Sequence, residues 1–137
     1  MPDNVKKKLE TAKELTKNNT HMTLNIALSY SARWEITKAT KQIAQQVKEG
    51  KLQLEDINDD IFSANLETAG MPDPELLIRT SGEERISNFL LWQLSYAELY
   101  FTETLWPDFR KQNFVDAIIN YQGRERRFGK TSEQLTK

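Results

Sequence analysis

Cysteine is absent from the 137 residues, and histidine occurs once, at His21. Without thiols there is no disulfide framework, thiol nucleophile or thiolate metal site, a composition that suits a reducing compartment. A single histidine builds neither a catalytic triad nor a His-rich metal centre, so His21, in a turn ahead of an apolar stretch, is assigned no catalytic role. No apolar run is long enough to cross a bilayer and no signal-peptide pattern opens the chain, so a soluble, cytoplasmic protein is expected. Excess charge of one sign is lacking too. The formal net charge of -1 argues against bulk attraction to nucleic acid. There is no internal repeat or low-complexity segment. What is present suits one domain, with 38% hydrophobic residues supplying a modest core.

Hydrophobic spacing predicts a first amphipathic helix over Asn4 to Lys17, with Val5, Leu9, Ala12 and Leu15 on one stripe. Met22 to Tyr30 reads as a strand with Leu24, Ile26 and Leu28 on one face. Trp34, Ala39, Ile43 and Val47 trace a second helix that ends near Gly50. One or two short helical turns are expected between Leu54 and Leu66, followed by a stiff loop over Gly70 to Pro74. Leu76 to Ile78 and Leu99 to Phe101 read as two more strands, separated by a helix from about Ser87 to Ser95. A last helix carries Phe114, Ala117, Ile118 and Tyr121, and Trp92, Trp106, Phe101 and Phe109 are expected in the core. Alternating strands and helices imply an α/β fold with a mainly parallel sheet and flanking helices. Three strands are few for a sheet covered on both faces, so exposed apolar surface and unpaired edges are expected.

The most informative stretch begins at Leu76, where an apolar run breaks into Arg79, Thr80, Ser81, Gly82, Glu83, Glu84, Arg85, Ile86, Ser87 and Asn88. In open α/β sheets, ligands settle where strands end. Arg79 stands at that exit, and a guanidinium presents paired, permanently charged donors to phosphate oxygens. Thr80, Ser81 and Ser87 offer neutral donors, and Gly82 allows a close backbone approach. A diphosphate would satisfy this set, with Ser87 and Asn88 opening a helix whose free amides favour an anion. The plain alternative is a surface loop whose arginines pair with Glu83 and Glu84.

The run Asp73-Pro74-Glu75-Leu76-Leu77-Ile78-Arg79-Thr80-Ser81-Gly82-Glu83-Glu84-Arg85-Ile86-Ser87-Asn88-Phe89-Leu90-Leu91-Trp92-Gln93 resembles the cis-prenyltransferases, as do Tyr96-Ala97-Glu98-Leu99-Tyr100-Phe101 and Leu105-Trp106-Pro107-Asp108-Phe109. Thr23 to Trp34 and Arg124-Glu125-Arg126-Arg127-Phe128-Gly129 agree. The family's Asp-Gly-Asn-Gly-Arg-Trp type of loop, which holds the allylic diphosphate and supplies the essential aspartate, has no counterpart in these residues. The chain is therefore expected to be the C-terminal portion of a single domain, 1–137, with 124–137 a flexible basic tail. Its catalytic residue is unknown, and activity on its own is not expected.

The resemblance implies condensation of isopentenyl diphosphate with an allylic diphosphate in cis, repeated to give a long polyprenyl diphosphate of the undecaprenyl type, a precursor of the cell-wall lipid carrier. It implies that Arg79, Arg85 and Ser87 hold the donor diphosphate, and that Glu98 serves Mg2+, the expected cofactor. Tyr30, Arg33, Glu83, Arg127 and Gly129 are supporting residues. Arg127-Phe128-Gly129 matches an Arg-x-Gly element that reaches a neighbouring active site in a homodimer, the expected assembly. Met22, Leu24, Ile26 and Leu28 would line a product tunnel, or simply pack a core. Two departures stand out. Ser29-Tyr30-Ser31-Ala32-Arg33 replaces an Asn-Tyr-Gly-Gly-Arg pattern, and Glu84 stands where a histidine is common. Membrane contact is expected to be at most peripheral, through the lipid product, and no nucleic-acid partner is expected. The competing reading is a non-catalytic partner subunit or a module that binds phosphorylated lipid. RNA binding through the basic tail is disfavoured by the overall charge.

Overall fold

Alternating lysines and acids shape the first helix, α1 (Asp3–Thr16). Pairs three residues apart, Lys6 with Asp3 at 3.5 Å and Lys13 with Glu10 at 3.2 Å, lie on neighbouring turns and support it. None of its residues is buried, so the predicted stripe exists but faces no core. The computed structural model describes residues 2–125. Among them, no helix is long and apolar enough to cross a membrane.

The second helix, α2 (Ala32–Lys48), starts where the Ser31 hydroxyl accepts the Trp34 N–H at 3.3 Å and stops just before Gly50, whose φ of 68° suits a residue without a Cβ. Its buried stripe is Ala32, Glu35, Ala39 and Ile43. Trp34 was expected there, but it points outward with the Lys38 ammonium 5.2 Å from its ring centre. A 3-10 turn (Leu54–Asp56) and α3 (Asp59–Ser63), capped by Asn58, account for the expected short helical turns.

Next come β1 (Leu76–Arg79) and β2 (Glu98–Phe101), which pair in parallel with Leu76 opposite Glu98 and Arg79 opposite Phe101. A 3-10 turn (Trp106–Asp108) then leads to α4 (Lys111–Gln122), which packs on β2, while α2 packs on α3. Ala39, Ile43, Leu66, Leu94 and Ala117 form a small core. The α/β class and the parallel sheet hold as predicted, but the sheet has two strands among the described residues and not three.

Three further expectations change. Residues 22–30 are irregular, with Ser29 at φ 55°, and do not form a strand, because β1 and β2 hydrogen-bond to each other and no other described strand lies alongside. Their apolar row is exposed, Leu24 to 74%. The expected helix from Ser87 to Ser95 is a series of turns. Ser87, Asn88 and Leu90 adopt φ of 48°, 60° and 46°, left-handed values that a right-handed helix does not accommodate. Trp106 is 71% exposed and not in the core, whereas Trp92 is half-buried against Phe62, with ring centres 4.4 Å apart.

Because residues 22–29 are exposed, Ile26→Lys should cost less than about 0.5 kcal/mol of stability in urea unfolding. The same change should reduce self-association seen by light scattering, since it breaks the exposed apolar row.

Candidate functional site

The loop that leaves β1 is held at both ends. At its start, the Thr102 N–H donates to the Arg79 carbonyl at 2.9 Å, the Ser81 N–H to Thr104 at 2.9 Å and the Gly82 N–H to Thr102 at 3.0 Å. Ser81 and Gly82 both have positive φ, 74° and 67°, and a Cβ at Gly82 would collide with the Glu103 carboxylate. Only glycine fits that turn without moving Glu103.

At its far end, Asn88 bonds to the first turn of α2. The Ala32 N–H donates to the Asn88 carbonyl at 3.0 Å, the Arg33 N–H to Asn88 Oδ1 at 3.0 Å, and Asn88 Nδ2 to the Ser31 hydroxyl at 2.8 Å. With Trp34 bonded to the Ser31 hydroxyl and Glu35 to the Ser31 carbonyl, the four leading amides of α2 are all taken. An anion here would meet side chains, not helix amides.

Arg79 is half-buried at the strand exit and lines a cleft of about 240 Å3 with Pro74, Ile86, Phe89 and Leu94. Neither the Arg79 nor the Arg33 guanidinium has an ion pair or hydrogen bond among the described residues. Arg85 is exposed and paired with Glu83, and Ser87 is exposed on the same loop. Two guanidiniums without partners among the described residues, and a third paired with the half-buried Glu83, lie on or beside a loop fixed at both ends and offer donors to a polyanion.

The prenyltransferase family model for undecaprenyl diphosphate synthase matches residues 1–129. The chain belongs to that family. It is 58% identical to an isoprenyl transferase of Chlorobaculum tepidum over 135 residues, covering 98% of this chain and 51% of that protein. It is 57% identical over 126 residues to a ditrans,polycis-undecaprenyl-diphosphate synthase, (2E,6E)-farnesyl-diphosphate specific, of Pasteurella multocida, covering 92% and 52% respectively. Among solved structures, lavandulyl diphosphate synthase from Lavandula x intermedia, in complex with dimethylallyl diphosphate, matches with a TM-score of 0.88 and 39% identity. That match covers 95% of this chain and 56% of the lavender enzyme. The chain thus spans about half the length of the curated relatives it matches.

Within this chain, the predicted residues fall into two groups. Arg79, Glu83, Arg85 and Ser87 share one loop, and Asn88 ties Arg33 and Tyr30's neighbour Ser31 to its end. Glu98 stands apart. Side chains alternate along a strand and register partners share a face, so Glu98 lies on the face of Leu76, Ile78 and Tyr100, while Arg79 lies on the face of Leu77, Leu99 and Phe101. The two also sit at opposite ends of the strand pair, about 10 Å apart along it. Glu98 Oε2 accepts from Arg124 Nη1 at 2.8 Å. Among the described residues, no three His, Cys, Asp or Glu side chains gather as a metal cage. Glu98 and Arg79 do not face one another across the strand pair. Of the expected flexible tail, Arg124 is held by Glu98 and by Asn120 at 3.0 Å. Arg127 and Gly129 lie outside the described residues.

Three residues carry weight that motif spacing does not signal directly. Asn88 is the first. The others are Glu35, which is fully buried, and Gln93. Glu35 Oε1 accepts the Glu67 N–H at 2.7 Å, and its Oε2 accepts the Tyr30 hydroxyl and Gln93 Nε2, the latter at 3.3 Å. An acid on the stripe of Ala32, Ala39 and Ile43 is the one signal that could have revealed it. The Tyr30 ring stands edge-on to Phe89 at 5.7 Å. Burial, and then the hydrogen bond to Glu35, push the Tyr30 hydroxyl well above its ordinary value of 10.0.

A raised value means that the neutral hydroxyl favours the fold, so its contribution is complete below pH 10.0 and is lost as pH rises beyond it. Tyr30→Phe should lower stability near neutrality by about 1 to 3 kcal/mol, because Glu35 loses a donor. In alkaline titrations followed by circular dichroism, the variant should also lose less stability above pH 10.0 than the parent.

Proposed function

We propose that the chain supplies the donor-diphosphate side of a cis-prenyltransferase, which joins isopentenyl diphosphate to an allylic diphosphate and repeats the step toward a polyprenyl diphosphate of the undecaprenyl type. The observation that carries this reading is the Arg79 guanidinium at the exit of β1, without an ion pair or hydrogen bond among the described residues and beside the loop bearing Arg85 and Ser87, in a chain of this family. In the reaction, the allylic C–O bond breaks and the diphosphate leaves with the electron pair. A carbon–carbon bond forms to the donor alkene, and a proton is released. Arg79, with Arg85 and Ser87, holds the donor diphosphate so that the alkene meets the allylic carbon, an effect of orientation. Arg33 adds positive potential from the α2 side. The aspartate that assists the allylic diphosphate belongs to a part of the enzyme not found in this sequence, so turnover by the chain alone is not part of the proposal.

Mg2+ is the proposed cofactor. It prefers oxygen ligands and completes its shell with substrate phosphate and water, so one protein carboxylate suffices, and Glu98 offers one. When bound, it neutralises charge on diphosphate oxygens. A cytoplasmic homodimer, with Arg127 and Gly129 reaching the neighbouring subunit and the lipid product giving peripheral membrane contact, completes the proposal. The source of cell-wall carrier lipid would be its product.

Isothermal titration with isopentenyl diphosphate should show saturable binding. Arg79→Ala should weaken it about ten- to a hundredfold, the value of one lost charge-assisted contact. Unchanged affinity in that variant would remove Arg79 from the site, and tight, salt-dependent RNA binding in its place would overturn the reading. Repeating the titration across magnesium concentrations tests Glu98 separately. The ion should tighten binding in the parent, and that gain should shrink severalfold in Glu98→Gln.

A further inference from the structure

We infer that Asn88 is a positioning residue of the diphosphate site, which it serves by fixing Arg33 and Ser87 relative to each other; the inference rests on the reading of that site given above. Asn88 follows Ser87 directly, and its side chain spans to another element. Oδ1 takes the Arg33 N–H at 3.0 Å and Nδ2 reaches the Ser31 hydroxyl at 2.8 Å, while its carbonyl takes the Ala32 N–H at 3.0 Å. Its φ is 60°, a left-handed conformation that asparagine tolerates better than most residues. Both ends of one amide are thus engaged, and the amide registers two substrate-facing groups that lie on separate elements.

Its neighbours have no substitute for this link. Arg33 is exposed and its guanidinium is free among the described residues, so the backbone bond to Asn88 is what sets where it starts from. Ser87 is exposed with φ 48°, and its own hydroxyl makes no hydrogen bond among the described residues. Asn88 itself is half-buried and fully committed to α2, so it acts through its neighbours and not on the ligand.

The test is a double-mutant cycle on the 137-residue chain, using inorganic pyrophosphate as probe. Asn88→Gly keeps the left-handed backbone accessible while removing the amide. It should weaken pyrophosphate about tenfold, Arg33→Ala by a similar factor, and the double variant by scarcely more than either, because Asn88 works through Arg33. Full additivity, or unchanged binding in Asn88→Gly, overturns the positioning role while leaving the site reading intact. No pyrophosphate binding by the parent chain overturns both. If Asn88→Gly melts below the assay temperature, Ser31→Ala removes one of its contacts and should show the same coupling to Arg33→Ala. Hydrogen exchange gives an independent check, because the Arg33 amide should exchange faster once its acceptor is gone.

Discussion

Three hydrogen bonds join Asn88 to the first turn of α2, across 55 residues of sequence, and they turn two stretches of chain into one surface. A second link lies one helical turn deeper, where the Glu35 carboxylate collects the Tyr30 hydroxyl, the Gln93 amide and the Glu67 N–H. Both cross-links draw on residues 30–35 and 88–93, so the loop after β1 cannot shift without moving α2. The cost is visible in the backbone, where Ser87, Asn88 and Leu90 are all left-handed. Each such residue costs about 1 kcal/mol or more, and the chain accepts this because a helix at 87–95 would turn the Asn88 amide away from its partners.

That trade explains what sequence reveals and what it conceals. The helices α2 and α4, both strands of the sheet and the glycine turn all follow from local rules: hydrophobic period, a serine cap, an apolar run before a charged loop. The apolar spacing of Phe89, Trp92 and Tyr96 points just as clearly to a helix, yet long-range bonds to α2 override it. Likewise, the alternation of Leu24, Ile26 and Leu28 is a strand pattern without a neighbouring strand to complete it among the described residues. Of the candidate site, the arginines and Ser87 are legible because phosphate chemistry selects their side chains. Asn88 and Glu35 are not, because their importance lies in which distant backbone groups they meet.

The departures from the family pattern at Ser31 and Ala32 find a use in the same place. Ser31 sits at φ -146°, ordinary extended backbone, and its hydroxyl both caps α2 and receives the Asn88 amide. Ala32 is completely buried with its N–H on the Asn88 carbonyl. Neither residue has a positive φ, so the backbone here does not require glycine, and the Ser31 hydroxyl provides a contact that glycine would lack.

The two arginines that leave the sheet differ in what a ligand must displace. At Arg79 an incoming anion meets no competing carboxylate among the described residues, whereas at Arg85 it must unseat the Glu83 carboxylate. A monoanion gains nothing from that exchange, since it merely replaces one negative charge with another. A multiply charged phosphate group gains at both positions, so the loop selects for ligand valence before it selects for ligand shape.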